Sequence, residues 1–176
     1  TSAVRDARNK SEVIERVRRE CGLELEVISG TEEARLIGLG VLRGLPARAR
    51  SLLFDIGGGS TEIAVGVGEE PKALWSVPIG AVRLSEIVHA GPKLSREQLV
   101  SMRRYAQRIV AEAVPSSIKG APAHAIGSSG TIRAICMFAS PPGSGHATRE
   151  SLSRAVEELA VLSPTERRKR FDAHRA

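Results

Sequence analysis

Between Phe54 and Gly66 the chain reads FDIGGGSTEIAVG: one apolar run ends on Asp55, the next is entered through Glu62, and Gly57, Gly58, Gly59, Ser60 and Thr61 lie between. Successive turn glycines let backbone N–H groups converge on one point, a concave nest that suits an anion and above all a phosphate. Ser60 and Thr61 add hydroxyl donors. Asp55 and Glu62 would repel a bare phosphate, so carboxylates beside such a cradle suggest a hard divalent cation between them, Mg²⁺. The plainer reading of the same residues is a hairpin whose glycines serve only its turn.

Two familiar phosphate loops do not fit. A Walker A loop needs Lys-Ser/Thr after its last glycine, and here Ser60-Thr61-Glu62 follows. The dinucleotide-binding G-x-G-x-x-G opens a helix, and the residues downstream here are strand-like.

The elements that must position this turn read as follows. Ser51–Phe54 and Ile63–Val67 are buried strands of one hairpin, and 72–79, with Trp75, is a third antiparallel strand. Upstream, Ser11 caps a helix with Val13, Ile14, Val17 and Cys21 on one face, stopped by Gly22. Leu23–Ile28 alternates like a half-buried strand. A second helix runs from Glu32 to Arg43 with Thr31 as its N-cap; Glu32 and Glu33 fall in its first turn, where the helix dipole alone accounts for both. Gly38 and Gly40 inside that helix predict another backbone packed closely there.

Downstream, a helix runs from Gly80 to about His89. Ser95 to Gln98 is a capping box for a long helix reaching Val114. Ala123–Ile126 is a short strand leading through the loop Gly127-Ser128-Ser129-Gly130-Thr131 into a helix over Ile132–Phe138. A Gly/Ser loop before a helix N-terminus is again anion-binding geometry, and equally an ordinary strand-to-helix connection. Pro141-Pro142-Gly143-Ser144-Gly145 is a loop, Thr148 opens another helix, and Ser163-Pro164-Thr165-Glu166 is a second capping box. Arg167-Arg168-Lys169-Arg170 on the last helix reads as a solvated face, and only weakly as a nucleic-acid patch.

Composition sets the outer limits. A chain of 176 residues, 41% hydrophobic and 26% charged, is long enough for one large domain or two small ones with ample core. No apolar run is long enough to span a bilayer and no signal peptide is visible, so the expected setting is cytoplasmic, with no membrane partner. Cys21 and Cys136 read as reduced core thiols. The net charge of +6 favours a polyanionic partner. Aromatic content of 3% argues against base stacking, which disfavours nucleic acid and leaves a phosphate chain or nucleotide. A homodimer stays open.

Five blocks, TSAVRDARN, ISGTEEARLIGLGV, LLFDIGGGSTEIAVG, SVPIGAVRLSE and AIGSSGTIRAI, stand in the order and rough spacing of exopolyphosphatases and guanosine pentaphosphate phosphohydrolases. The chain resembles that family along nearly its whole length. The resemblance implies an α/β, ribonuclease H-like (actin-like ATPase) fold: a mixed sheet with an antiparallel three-strand meander followed by helices. It divides the chain into 1–45, the end of a first actin-like domain, and 46–176, a second one incomplete at its C-terminus.

The resemblance also assigns roles. The second Glu of the EEAR block, Glu33, becomes the base that activates water. Asp55 and Glu62 place Mg²⁺ or orient the attacked phosphate, and Arg5 contacts substrate phosphate. With the glycine turn (57–61), Ser128 and Gly130, they form the candidate site. The implied reaction releases terminal phosphate from polyphosphate or guanosine pentaphosphate, chemistry that consists mostly of positioning, charge neutralisation and orienting a water. Two other readings stand beside it: an ATP-handling actin-like protein or sugar kinase, and a non-catalytic phosphate-binding module. The chain departs from the family pattern in lacking a first phosphate loop of Asp-x-Gly-Ser-Asn type. It therefore looks like an internal piece, expected to be inactive alone.

Overall fold

The computed structural model describes residues 2–88, 91–116, 122, 124–141 and 144–173. Four strands form one sheet in the order β3-β2-β1-β4: β1 Arg50–Ile56, β2 Thr61–Val67, β3 Glu70–Val77 and β4 His124–Ser128. β1, β2 and β3 are the expected antiparallel meander, and β4 adds parallel to β1. Among the described residues eight helices surround it: α1 Ser2–Asp6, α2 Lys10–Cys21, α3 Gly30–Leu42, α4 Ala81–Ile87, α5 Arg96–Ala113, α6 Ser129–Ala139, α7 Arg149–Val161 and α8 Pro164–Ala173. Among the described residues, no helix is long and apolar enough to cross a membrane.

Alternation along the strands gives the sheet two packed faces. On one, Leu53 and Ala64 pack beneath Leu42 of α3, with Val41, Leu45, Leu74 and Ile126 around them. Leu42 is fully buried because Gly66 leaves it room; a Cβ on Gly66 would lie 2.5 Å from a Leu42 methyl. On the other face Ile63, Val77 and Ile79 pack with Trp75, Phe54 and the α5 side chains Tyr105, Ile109 and Val110. Phe138 of α6 meets Phe171 of α8 with ring centroids 5.5 Å apart.

Several expectations need correction. Residues 22–29 form no strand: Leu23 and Leu25 are 58% and 44% exposed, and a strand is stable only where it pairs and buries a face. The cap of α3 is Ser29, whose Oγ accepts from Glu32 N at 3.1 Å, so the helix starts earlier than Thr31 predicted. What lies close to Gly38 is not a backbone but the Pro71 side chain, 3.0 Å from where a Cβ would stand, and Gly40 faces open space. Cys21 is an exposed free thiol and not a core one. β4 continues to Ser128 and α6 starts at Ser129, so the expected loop 127–131 is a direct strand-to-helix junction. The capping boxes at Ser95 and Thr148 form, and Glu166 accepts from Ser163 N at 2.6 Å. The expected helix end at His89, the strand start at Ala123 and the loop residues Pro142 and Gly143 lie outside the described residues.

Candidate active site

Strand register builds the site. Ser76, Glu62, Asp55 and Ser128 are Cα partners in one row that crosses all four strands. Directly opposed residues share a face, so this polar row lies on the α3 face, next to the apolar row Leu74, Ala64, Leu53 and Ile126. Its two carboxylates are each held by a neighbouring hydroxyl. Ser76 Oγ donates to Glu62 Oε1 at 2.8 Å, and Ser128 Oγ donates to Asp55 Oδ2.

Glu62 is 4% exposed. Burial pushes its carboxyl above the usual carboxylate range; hydrogen bonds from Ser76 and Ser60 oppose that, the negative charge of Glu33 adds to it, and Arg5 counters it. Glu33 and Arg5 thus belong to the same electrostatic cluster. Arg5 Nη1 donates to Glu33 Oε2 at 2.8 Å, with the two side chains only 22% and 24% exposed. One close approach sets this geometry. A Cβ on Gly30, at the start of α3, would overlap Ser76 Oγ, so the helix carrying Glu33 is seated directly on the row carrying Glu62.

The glycine turn sits at the open end of the hairpin. Gly57 N donates to Ser60 O at 3.0 Å and closes it, while the N–H groups of Gly58, Gly59 and Ser60 have no backbone partner among the described residues. None of the three glycines has a positive φ, so backbone conformation alone does not require glycine at any of them. Space is the reason at Gly59 and Gly80, whereas a Cβ on Gly58 would make only ordinary contact with Val82 at 3.5 Å. Ser2 Oγ would lie 2.6 Å from a Cβ on Gly59, and the backbone of Gly58 and Gly59 would lie within 2.6 Å of a Cβ on Gly80. That contact lets α4 begin on the turn: Ala81 N donates to Gly57 O, and Val82 and Arg83 N both donate to Gly58 O.

Not every candidate hydroxyl faces the turn's open N–H groups. Thr61 Oγ1 is buried and donates to the Ile79 carbonyl at 2.6 Å, and Ser60, 6% exposed, bonds to Glu62. Ser128 reaches Asp55, and a Cβ on Gly130 would meet nothing within 4 Å. Sequence reading overlooked Ser129, which has φ 79° and donates to Ile56 O at 3.0 Å, and Ser76, the partner of Glu62. Counting across the hairpin from Val67 and Glu70 would have paired Glu62 with Trp75; a bulge between Val65 and Gly66 shifts the register by one and brings Ser76 opposite Glu62.

Among the described residues, no three His, Cys, Asp or Glu side chains form a metal cage. Mg²⁺ does not require one. It takes one or two carboxylates and completes its shell with water and phosphate oxygens, so the hard-oxygen pair Asp55 and Glu62 fits it.

The model of the Ppx/GppA phosphatase family matches residues 1–174. Exopolyphosphatase 1 of Mycobacterium tuberculosis is 37% identical over 157 residues, covering 87% of this chain and 46% of that protein. The Mycobacterium leprae Exopolyphosphatase 1 is 35% identical over the same length. The chain spans about half the length of these relatives. Among solved structures, an exopolyphosphatase from Cytophaga hutchinsonii superposes with a TM-score of 0.81 at 29% identity, covering 94% of this chain and 56% of that one. The Aquifex aeolicus member of the Ppx/GppA family gives 0.77 at 28% identity, with 97% and 56% covered.

Proposed function

Because this chain belongs to the Ppx/GppA phosphatase family, we propose that it carries the second-domain side of a site that hydrolyses terminal phosphoanhydrides in the cytoplasm. The fold is the ribonuclease H-like α/β fold of the actin-like ATPases. Residues 1–45 are assigned to the end of a first domain and 46–176 to a second, with α3 packed across that boundary through Leu42. The substrates are polyphosphate and guanosine pentaphosphate, which present the same terminal anhydride.

The observation that carries this reading is the convergence of Glu33, Arg5 and Glu62 around the start of α3. In the proposed reaction the N–H groups of Gly58, Gly59 and Ser60 and the Arg5 guanidinium bind the terminal phosphate. Asp55 and Glu62 would hold Mg²⁺, which when bound neutralises charge on the phosphate oxygens. Arg5 exchanges its contact with Glu33 for phosphate, which leaves the Glu33 carboxylate free to orient a water and take its proton as the oxygen attacks phosphorus, while the bridging P–O bond breaks and the shortened chain leaves with the bridging oxygen. Burial beneath α3 restricts bulk water at Glu62 and strengthens every charge contact in the row.

The test is a substrate panel on a protein of its relatives' full length that carries this chain, following phosphate release from polyphosphate, guanosine pentaphosphate and ATP. Release from the first two, without transfer to sugar acceptors, supports the proposal. Transfer from ATP to an acceptor would favour a kinase, and tight binding with no release would favour a non-catalytic module. The 176 residues alone are expected to bind polyphosphate and to turn it over negligibly, since positioning from one side supplies only part of the rate.

A further inference from the structure

Arg83 lies in the SVPIGAVRLSE block, and its place relative to the glycine turn is fixed twice over. Its own N–H donates to Gly58 O at 3.0 Å, and its Nη2 is 3.7 Å from where a Cβ on Gly59 would stand. The guanidinium is 36% exposed and meets one carboxylate, Asp6 Oδ2 at 2.5 Å, across 77 residues of sequence. Asp6 follows Arg5 in α1, and Ser2 of the same short helix rests on Gly59. Arg5 at the start of α3 and Arg83 beside the turn are therefore arranged alike, each facing a carboxylate: Arg5 with Glu33, Arg83 with Asp6.

We infer that Arg83 is a further ligand for substrate phosphate, and that Asp6 occupies its guanidinium until a phosphate chain displaces it. The inference rests on the functional reading above and adds a residue to that site. A half-exposed ion pair contributes little to stability, so exchanging it costs little. A phosphate offers more: it matches the planar guanidinium fork with two parallel hydrogen bonds and carries the larger charge. Asp6 uses one of the five guanidinium donors, through Nη2. With Arg5 beside Glu33 and Arg83 beside Gly59, cations stand at two points along the cradle. A chain of phosphates can use both, whereas one orthophosphate can satisfy only one.

The experiment measures linear polyphosphate binding to the 176-residue chain by calorimetry, at several salt concentrations, for wild type and for Arg5→Ala, Arg83→Ala, Arg83→Lys and Asp6→Asn. The expected result for Arg83→Ala is binding weakened roughly tenfold or more, with the salt slope of log K reduced by about one. Arg83→Lys should fall between it and wild type. Asp6→Asn should bind roughly twofold to fivefold more tightly. The opposite signs decide between roles: if the ion pair merely ties α1 to α4, Arg83→Ala and Asp6→Asn break the same contact and shift binding in the same direction, which overturns the inference. Thermal unfolding of each variant checks that it is folded. If Arg5→Ala weakens binding and Arg83→Ala stays within twofold of wild type, the inference alone fails. If wild type does not bind polyphosphate, or Arg5→Ala binds like wild type, the functional reading fails and the inference with it.

Discussion

Ser76 Oγ and Glu62 Oε1, partners across β3 and β2, are joined at 2.8 Å beneath the start of α3. The bond favours the ionised carboxylate, but burial outweighs it and raises the Glu62 pKa. A raised carboxyl binds more protons in the folded than in the unfolded chain, so it costs stability as pH climbs above the ordinary glutamate value of about 4. Glu62→Gln keeps the acceptor for Ser76 and removes that cost. In chelator, its unfolding temperature is expected to exceed wild type at pH 7 and to converge on it below about pH 4. Thermal scans across that range check this; a gap that widens toward acid would contradict it.

Gly80 and Gly130 are expected to behave oppositely. A Cβ on Gly80 would lie 2.5 Å from the Gly58 carbonyl, so Gly80→Ala should push α4 off the turn and weaken both stability and polyphosphate binding. A cost of about 1–3 kcal/mol is typical of such overpacking. Gly130 has free space and lies inside α6, so Gly130→Ala should be neutral or stabilise by up to about 1 kcal/mol. Denaturant midpoints of the two variants measure both.

α2 and α3 should differ in amide exchange. α3 buries Ala34, Gly38 and Leu42 against the sheet, whereas α2 has no buried residue. Exchange mass spectrometry should find α2 exchanging well before α3, as local opening is easiest where few apolar contacts hold an element. Equal protection in the two helices would show that α2 has a partner surface.

The hairpin and the capped helices were legible because their signals are local. The apolar runs 51–54 and 63–67 either side of the glycine turn, the Ser95 box and the Thr148 cap are each decided within a few residues of sequence. Leu23–Ile28 misled because alternation states only that one face wants burial, and among the described residues no strand lies alongside it. The glycine turn was legible as a turn, but the reason for its glycines was not: Gly59 is required by Ser2, and the turn's closeness to Gly80 by α4, both distant in sequence. The same holds for the row Ser76, Glu62, Asp55 and Ser128, which exists only once β4 pairs beside β1. Arg83 drew no attention for that reason; its partner Asp6 is 77 residues away.

The central claim is that Glu33 activates the water that cleaves the terminal anhydride. Its most direct test is turnover of polyphosphate in ¹⁸O-water by a protein of its relatives' full length carrying this chain, wild type beside Glu33→Gln. The account predicts one solvent oxygen in each phosphate released by wild type. It predicts release slowed by at least about 100-fold in Glu33→Gln, with polyphosphate binding kept or tightened because Arg5 has lost its carboxylate partner. Glu33→Gln turning over near the wild-type rate, or phosphate released without solvent oxygen, would contradict it.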